Sequence, residues 1–276
     1  DADCSNWAKV AVCQAPNAKL VARQTAPLKV MKRYSPVSVT KQRDGSYLYD
    51  FGKNFSGRVA LCAQVESRCA GEKIVLTPAE ILTKDGQLDQ RVTGKGYAWT
   101  YICSEKPCQE FAPDFTYTGF RYVKATVPDG VIITALTGEF LYPDLEETGT
   151  FSCSNPLFNE IHAIIRQAML SNIKSYFTDC PHREKLGWLE QTHLIGPALL
   201  CNWDLELFYE KIEQDMADSQ HLDGLVPDIC PEYVTGFDKW HTGFVDSPEW
   251  GSACVLNPEL LLAKYGNLKA LEHWYE

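Results

Sequence analysis

The hydrophobic period of this chain changes once, near Glu147-Thr148-Gly149, and that change limits what it can fold into. Upstream, residues 47–49, 59–65, 73–76, 98–102, 122–126 and 131–136 form short runs rich in β-branched and aromatic side chains. Turn signals separate them at Asp44-Gly45, Ser56-Gly57, Ala70-Gly71, Asp85-Gly86 and Asp129-Gly130. Short strands at this rhythm predict a β-sandwich. Downstream, Asn155 before Pro156 is a helix start, a capping side chain followed by a proline in the first turn. Leu157, Ile161, Ile164, Ile165, Ala168 and Met169 then recur at helical spacing. A second helical run is expected over 186–200. A third covers 204–219, with Leu205, Phe208, Ile212 and Met216 on one face, and helices resume near Val255. The expected organisation is a multidomain β + α chain, with a β-sandwich over 1–148 and a helical domain over 149–276.

Composition narrows the function classes. Of 276 residues, 45% are hydrophobic and 22% charged, as in an ordinary globular protein. A net charge of -10 argues against nucleic-acid binding, which uses basic patches. No run approaches the roughly 20 apolar residues of a membrane span. The chain opens at Asp1 without methionine and closes inside a helical run, so both ends read as cut. Its 11 cysteines are scattered, without a paired C-x-x-C framework. Cys103 and Cys108 are spaced to close a loop by a disulfide, Cys62–Cys69 and Cys4–Cys13 being weaker pairs; buried inert thiols explain most of them equally well. The count leans towards a periplasmic or secreted protein. The sequence implies no cofactor, and it does not encode a legible oligomeric state.

The chemistry concentrates in Thr178-Asp179-Cys180-Pro181-His182-Arg183-Glu184-Lys185-Leu186-Gly187-Trp188. Pro181 disfavours helix at Cys180, so these polar groups are expected on a loop between helices. Acids, a planar cation and a flat indole are what a glycosidase needs. The bland reading is a helix start, with Asp179 as cap and Arg183–Glu184 as a surface pair. A second loop, over 228–249, brings Tyr233, Phe237, Trp240 and Phe244, with Trp250 just beyond it, beside Asp228, Glu232, Asp238, Asp246 and Glu249. Aromatic faces beside carboxylates suit a sugar, whose C–H face stacks while its hydroxyls seek acceptors; the bland reading is a cover over a core edge.

Thr178-Asp179-Cys180-Pro181, Arg183-Glu184 and Leu186-Gly187-Trp188 together resemble the signature of bacterial α-L-rhamnosidases of glycoside hydrolase family 78. Tyr49-Asp50-Phe51-Gly52-Lys53-Asn54-Phe55-Ser56-Gly57 and Phe115-Thr116-Tyr117-Thr118-Gly119-Phe120-Arg121-Tyr122-Val123 resemble that family's β-sandwich domain. Gly149-Thr150-Phe151-Ser152-Cys153-Ser154-Asn155 is similar to the start of its (α/α)6 barrel, and Asp223-Gly224-Leu225-Val226-Pro227 and Trp250-Gly251-Ser252-Ala253 stand in family-like positions. The resemblance extends from about Leu20 onward. It implies inverting hydrolysis of α-L-rhamnosides, with a rhamnose-containing oligosaccharide or plant glycan as partner and no metal in the chemistry. Glu184 matches the general acid, Asp179 a carboxylate holding rhamnose hydroxyls, and Arg183 a neighbouring hydrogen-bonding cation. Trp188 and Trp250 match walls around the sugar's methyl face, with Glu190, Trp240 and Glu249 as further substrate contacts. Like charge and desolvation are expected to keep the proton on Glu184, with Arg183 pointing at substrate or Asp179 instead.

Three departures stand out. Gln191 occupies a position where the family often has Asp, with Glu190 a possible substitute, and Ser252 stands where Asp is common. The third is the second carboxylate, roughly 6.5–9.5 Å from the acid, that an inverting enzyme needs to activate water. The resemblance puts it beyond Glu276. Six hairpins are twelve helices, and residues 149–276 hold about five of ordinary length, so a fragment of a longer enzyme is expected. Two other classes compete: a catalytically inactive carbohydrate-binding or scaffolding protein, and a metal-dependent hydrolase using Cys180, His182 and His193.

Overall fold

A long strand that belongs to both layers organises the β region. In this computed structural model, which describes residues 5–15, 18–94, 96–232 and 245–274, the strands are β1 (Leu28–Tyr34), β2 (Ser38–Lys41), β3 (Tyr47–Val65), β4 (Lys73–Ala79), β5 (Ile81–Leu82), β6 (Leu88–Asp89), β7 (Trp99–Ile102), β8 (Cys108–Phe111), β9 (Thr118–Thr126) and β10 (Val131–Pro143). The main sheet runs β1-β10-β3-β9-β4-β7, with β2 and β8 also paired to β3; β5 and β6 form a small second sheet. The first half of β3 pairs with β2 and β9, the second half with β10 and β8. A strand that changes partners in this way folds one layer over the other.

The expected turn at Ser56-Gly57 is therefore absent, and the chain passes through it as strand. A Cβ on Gly57 would lie 1.8 Å from the Glu139 carbonyl oxygen, so glycine serves close strand approach here rather than reversal. The other four expected turns form, each with its glycine at positive φ. Between the layers, Phe55 meets Phe120 at 4.6 Å and Trp99 meets Phe120 at 5.6 Å, centroid to centroid, and all three are buried. Tilted and edge-to-face packing of this kind adds to the burial of their area.

The helices are α1 (Pro156–Asn172), α2 (Glu190–Leu194), α3 (Gly196–Leu200), α4 (Glu206–Ser219), α5 (Pro248–Gly251), α6 (Ala253–Tyr265) and α7 (Leu268–Trp274). Seven are present among the described residues where about five were expected, because α2, α3 and α5 are single-turn pieces. Asn155 Oδ1 accepts the N–H of Leu157 at 3.0 Å, capping α1 as its sequence predicts. The expected run over 186–200 begins instead at Glu190 and breaks between α2 and α3, where Pro197 has no N–H to continue the ladder. On α4, Leu205, Phe208, Ile212 and Met216 are buried together, as their spacing requires.

The two regions meet where α1 packs on β3 and β10. Just past α1, Lys174 is buried, and its Nζ donates to Ser56 Oγ at 2.8 Å and to the Leu141 carbonyl at 2.7 Å, with the Tyr117 ring face 5.0 Å away. Burial, then the nearby Lys185 ammonium, pull its pKa down to about 7.

The disulfide expectations are not met. Cys62, Cys69, Cys103 and Cys108 are free thiols, as is Cys13; its proposed partner Cys4 lies outside the described residues. Cys103 faces the core while Cys108 is exposed, and Gln109 braces the intervening loop through bonds to Ser104 and Lys106.

Candidate active site

The 178–188 segment is a loop, as Pro181 predicts, and both regions of the molecule hold it. Thr178 N donates to the Asn172 carbonyl at the end of α1. On the β side, Gly119 N donates to the Pro181 carbonyl at 2.9 Å, Lys185 Nζ donates to the Tyr117 carbonyl, and His182 Nε2 meets Glu80 Oε2 at 2.7 Å. The Cys180 sulfur and then the Glu80 carboxylate raise the His182 pKa to about 9. Asn54 donates to the other oxygen of Glu80 at 2.8 Å. The β region thus acts as a base plate for the loop.

Asp179 faces inward across the loop and closes it. Its Oδ1 accepts Leu186 N at 3.1 Å while its own N–H donates to the Leu186 carbonyl. The helix-cap alternative for Asp179 is thereby excluded, because no helix starts until Glu190. The loop then runs antiparallel beside 229–230: Trp188 pairs with Ile229, Cys230 N donates to the Gly187 carbonyl at 3.0 Å, and Leu189 N donates to the Asp228 carbonyl at 2.9 Å. A Cβ on Gly187 would stand 2.3 Å from the Cys230 carbonyl oxygen. Glycine is what lets the two segments touch.

Glu184 accepts from two sides. Its Oε1 receives Arg183 Nε at 3.1 Å and Nη2 at 2.8 Å, and its Oε2 receives the Trp188 indole N–H at 3.0 Å. The expectation that Arg183 points away from Glu184 is overturned. Adjacent residues on a tight turn put the fork and the carboxylate within reach, and Asp179 is already engaged by the Leu186 N–H. Arg183 is more than half exposed and Glu184 about one-third, so the pair faces outward.

Trp188 and Trp250 meet edge to face at 5.9 Å, making an aromatic corner next to Glu184. The buried Trp250 Nε1 has no acceptor among the described residues. Asp228 ties the corner together: fully buried, it accepts Ser247 N on Oδ1 at 2.9 Å, and its Oδ2 has no hydrogen-bond partner among the described residues. Burial pushes its pKa up; the Ser247 bonds oppose that, and Asp246 and Glu249 reinforce it. Glu190 opens α2, and Gln191 beside it buries an Oε1 with no donor among the described residues. Glu249 is exposed in the first turn of α5. Trp240 lies outside the described residues, with Tyr233, Phe237, Asp238 and Phe244.

The metal reading has no geometry behind it. His182 is committed to Glu80, His193 sits on α2, and no three His, Cys, Asp or Glu side chains converge as a ligand set among the described residues. Sequence reasoning missed Glu80, which carries no motif of its own, and the contact of Tyr117, quoted only as part of a β-domain motif, with the signature loop. It also missed Glu213, a buried carboxyl on α4 whose pKa burial raises to about 8, the nearby Asn257 side chain opposing the rise. That signal was present, since Glu213 falls on the buried stripe between Ile212 and Met216.

Comparison with known proteins places this geometry in context. Residues 40–142 match the model of the bacterial alpha-L-rhamnosidase concanavalin-like domain, and residues 146–276 match that of the bacterial alpha-L-rhamnosidase 6 hairpin glycosidase domain. An alpha-L-rhamnosidase of Formosa agariphila is 36% identical over 78% of this chain, which covers 23% of that protein. The crystal structure of the Streptomyces avermitilis alpha-L-rhamnosidase complexed with L-rhamnose is 28% identical, with TM-score 0.82 over 92% of this chain and 24% of that one. The Aspergillus terreus alpha-L-rhamnosidase is 27% identical, with TM-score 0.83 over 99% of this chain and 31% of that one. The chain spans about a quarter of the length of the curated relatives it matches.

Proposed function

The chain belongs to the bacterial α-L-rhamnosidase family, and on that premise we propose that it carries the acid half of a site hydrolysing terminal α-L-rhamnosides with inversion. Glu184 is the general acid in this reading, delivering a proton to the leaving glycosidic oxygen. Asp179 and Glu190 hold sugar hydroxyls, and Trp188 and Trp250 wall the methyl-bearing face, with Trp240 and Glu249 as further contacts. Arg183 exchanges Glu184 for a substrate hydroxyl when sugar enters, which frees Oε1 to face the bond being cut. The water-activating carboxylate comes from outside residues 1–276. The partner is a rhamnose-containing oligosaccharide or plant glycan, and the proposal includes an exported location, where such glycans are met.

The observation that carries this reading is the Trp188–Trp250 corner with Glu184 bonded to the Trp188 indole N–H. An acceptor beside two apolar walls matches a deoxy sugar, which presents hydroxyls on one part and a methyl group on another. One feature supports a second reading, a non-hydrolytic carbohydrate-binding protein: the Arg183 fork occupies the oxygen an acid catalyst must present.

The complete protein, assayed on aryl α-L-rhamnosides, separates the two. Hydrolysis is expected to release β-L-rhamnose first, seen by NMR. Glu184→Gln should lower kcat by roughly 10²–10⁴-fold for poor leaving groups, and far less for activated ones that need no proton. Binding without turnover by the unaltered protein would establish the second reading. Turnover indifferent to Glu184→Gln would remove the acid from its role.

A further inference from the structure

A groove separate from the Trp188–Trp250 corner runs along the seam between α1 and the β region. Its first section, about 560 Å³, lies between β1, β3 and α1 and includes Lys32, Lys53, Tyr34, Phe151, His162 and Arg166 in its lining. A second section, about 470 Å³, shares Lys53, Ala163 and Gln167 with the first and ends at Pro181 of the signature loop. Each section is of the size that holds a small organic ligand, and seams between structural units are common binding places. Two in line suit a chain of rings better than a compact ion.

The first section is lined by three cations, Lys32, Lys53 and Arg166, and one carboxylate, Glu147; the second adds Glu80, which is held by His182 and Asn54. Arg166 is spent locally: it donates to Glu147 and Asn202, both at 2.7 Å, and lies over the Trp203 ring. Lys32 and Lys53 have no carboxylate partner among the described residues; Lys53 rests over the Tyr34 ring at 5.3 Å, a neighbour without formal charge. In a chain of net charge -10, two uncompensated ammonium groups at one groove make a local positive field. The walls supply flat faces: Phe151 is 50% exposed and packs against the His162 ring at 5.1 Å, and Tyr34 is half-buried. The seam also carries the amides of Asn54, Asn159 and Gln167; their N–H groups are spent on Glu80, Cys153 and Asn54, and the Asn54 and Gln167 side-chain oxygens are the acceptors offered to hydroxyls. Aromatic faces for pyranose C–H groups, amides for hydroxyls and lysines for an anion form one coherent set.

We propose that this seam binds an acidic oligosaccharide, with Lys32 and Lys53 taking its negative groups and Tyr34 and Phe151 its ring faces. The charge is borne by a uronic carboxylate or by a sulfate ester, and the two are told apart by the ligands tested. Binding here is independent of Glu184, so it is measured on the complete protein with ligands that carry no rhamnose.

Calorimetric titration with a uronic-acid trisaccharide, a sulfated trisaccharide of equal charge and a neutral trisaccharide tests it. At least one acidic ligand should bind roughly tenfold or more tighter than the neutral one, and should weaken at about 0.5 M salt. Whichever acidic ligand binds more tightly names the source of the charge. Lys32→Gln and Lys53→Gln should each weaken it by roughly two- to fivefold, the range of single exposed ion pairs, with an unchanged melting temperature. Glu184→Gln should leave it unaltered. Equal affinity for the neutral sugar, no binding of either acidic one, or indifference of the Lys32→Gln/Lys53→Gln double variant would overturn the assignment, and none of these would touch the hydrolytic reading.

Discussion

The Trp188 indole N–H donates to Glu184 Oε2 at 3.0 Å, joining the candidate acid to one of the two indoles of the aromatic corner beside it. The two residues are four apart on a loop, and the bond exists because Gly187 lets the chain turn and run along 229–230. The same indole packs on Trp250, so the acid's position is linked to a residue some sixty positions away.

Trp188→Phe keeps an apolar ring against Trp250 and deletes the donor. A hydrogen bond contributes about 0.5–1.5 kcal/mol net. With that bond orienting Glu184, kcat of the complete protein should fall by roughly two- to tenfold with KM little changed, measured by steady-state kinetics on an aryl rhamnoside. An equal rise in KM with constant kcat would mean that the indole serves binding alone.

Gly187→Ala forces a methyl group to within 2.3 Å of the Cys230 carbonyl oxygen, on a residue whose own N–H donates to the Gly187 carbonyl. The backbone must yield, so a loss of about 1–3 kcal/mol is expected in denaturant titration. The change should also disturb the Trp188 environment, visible as altered tryptophan fluorescence in the folded state.

Glu213 has its pKa raised by burial, to about 8. The folded state therefore holds a proton that the unfolded chain releases above its ordinary carboxyl range, and stability from this group falls as pH rises from about 4.5 to 8. Glu213→Gln keeps the shape and removes the ionisation. It should stabilise the protein by about 1–3 kcal/mol at pH 8 and by little at pH 4, read from melting curves at both values.

Lys174 gives a slope of opposite sign. Its pKa is lowered to about 7, so between that value and the ordinary lysine range the unfolded chain binds the extra proton. Stability from Lys174 rises with pH across that window, by about 1.4 kcal/mol per pH unit for one full proton. Lys174→Met should flatten the curve between pH 7.5 and 9.5, roughly the middle of that window, in chemical denaturation. An unchanged slope would mean that Ser56, Leu141 and the Tyr117 face keep the ammonium charged throughout.

The change of period at residues 147–149 is a property of the chain itself, because strand and helix impose periods of two and 3.6 on whichever side chains are to be buried. Asn155-Pro156 marked the start of α1, Pro181 marked a loop, and the stripe Leu205, Phe208, Ile212, Met216 marked the face of α4, all through local rules. The ordered motifs around Glu184 carried the family. Tertiary contact decided the rest. Ser56-Gly57 reads as a turn and is strand, since only the approach of Glu139 on β10 shows why a glycine is there. Arg183 reads as pointing at substrate or Asp179 and lies on Glu184, its neighbour in the turn, while Asp179 accepts the Leu186 N–H. Glu80, Tyr117 and Lys174 brace the loop and the domain seam from positions distant in sequence, and pairing at such range has no periodic signature. Short-range rules act through neighbouring residues; the environment of a carboxylate is set by whichever distant groups the fold brings beside it.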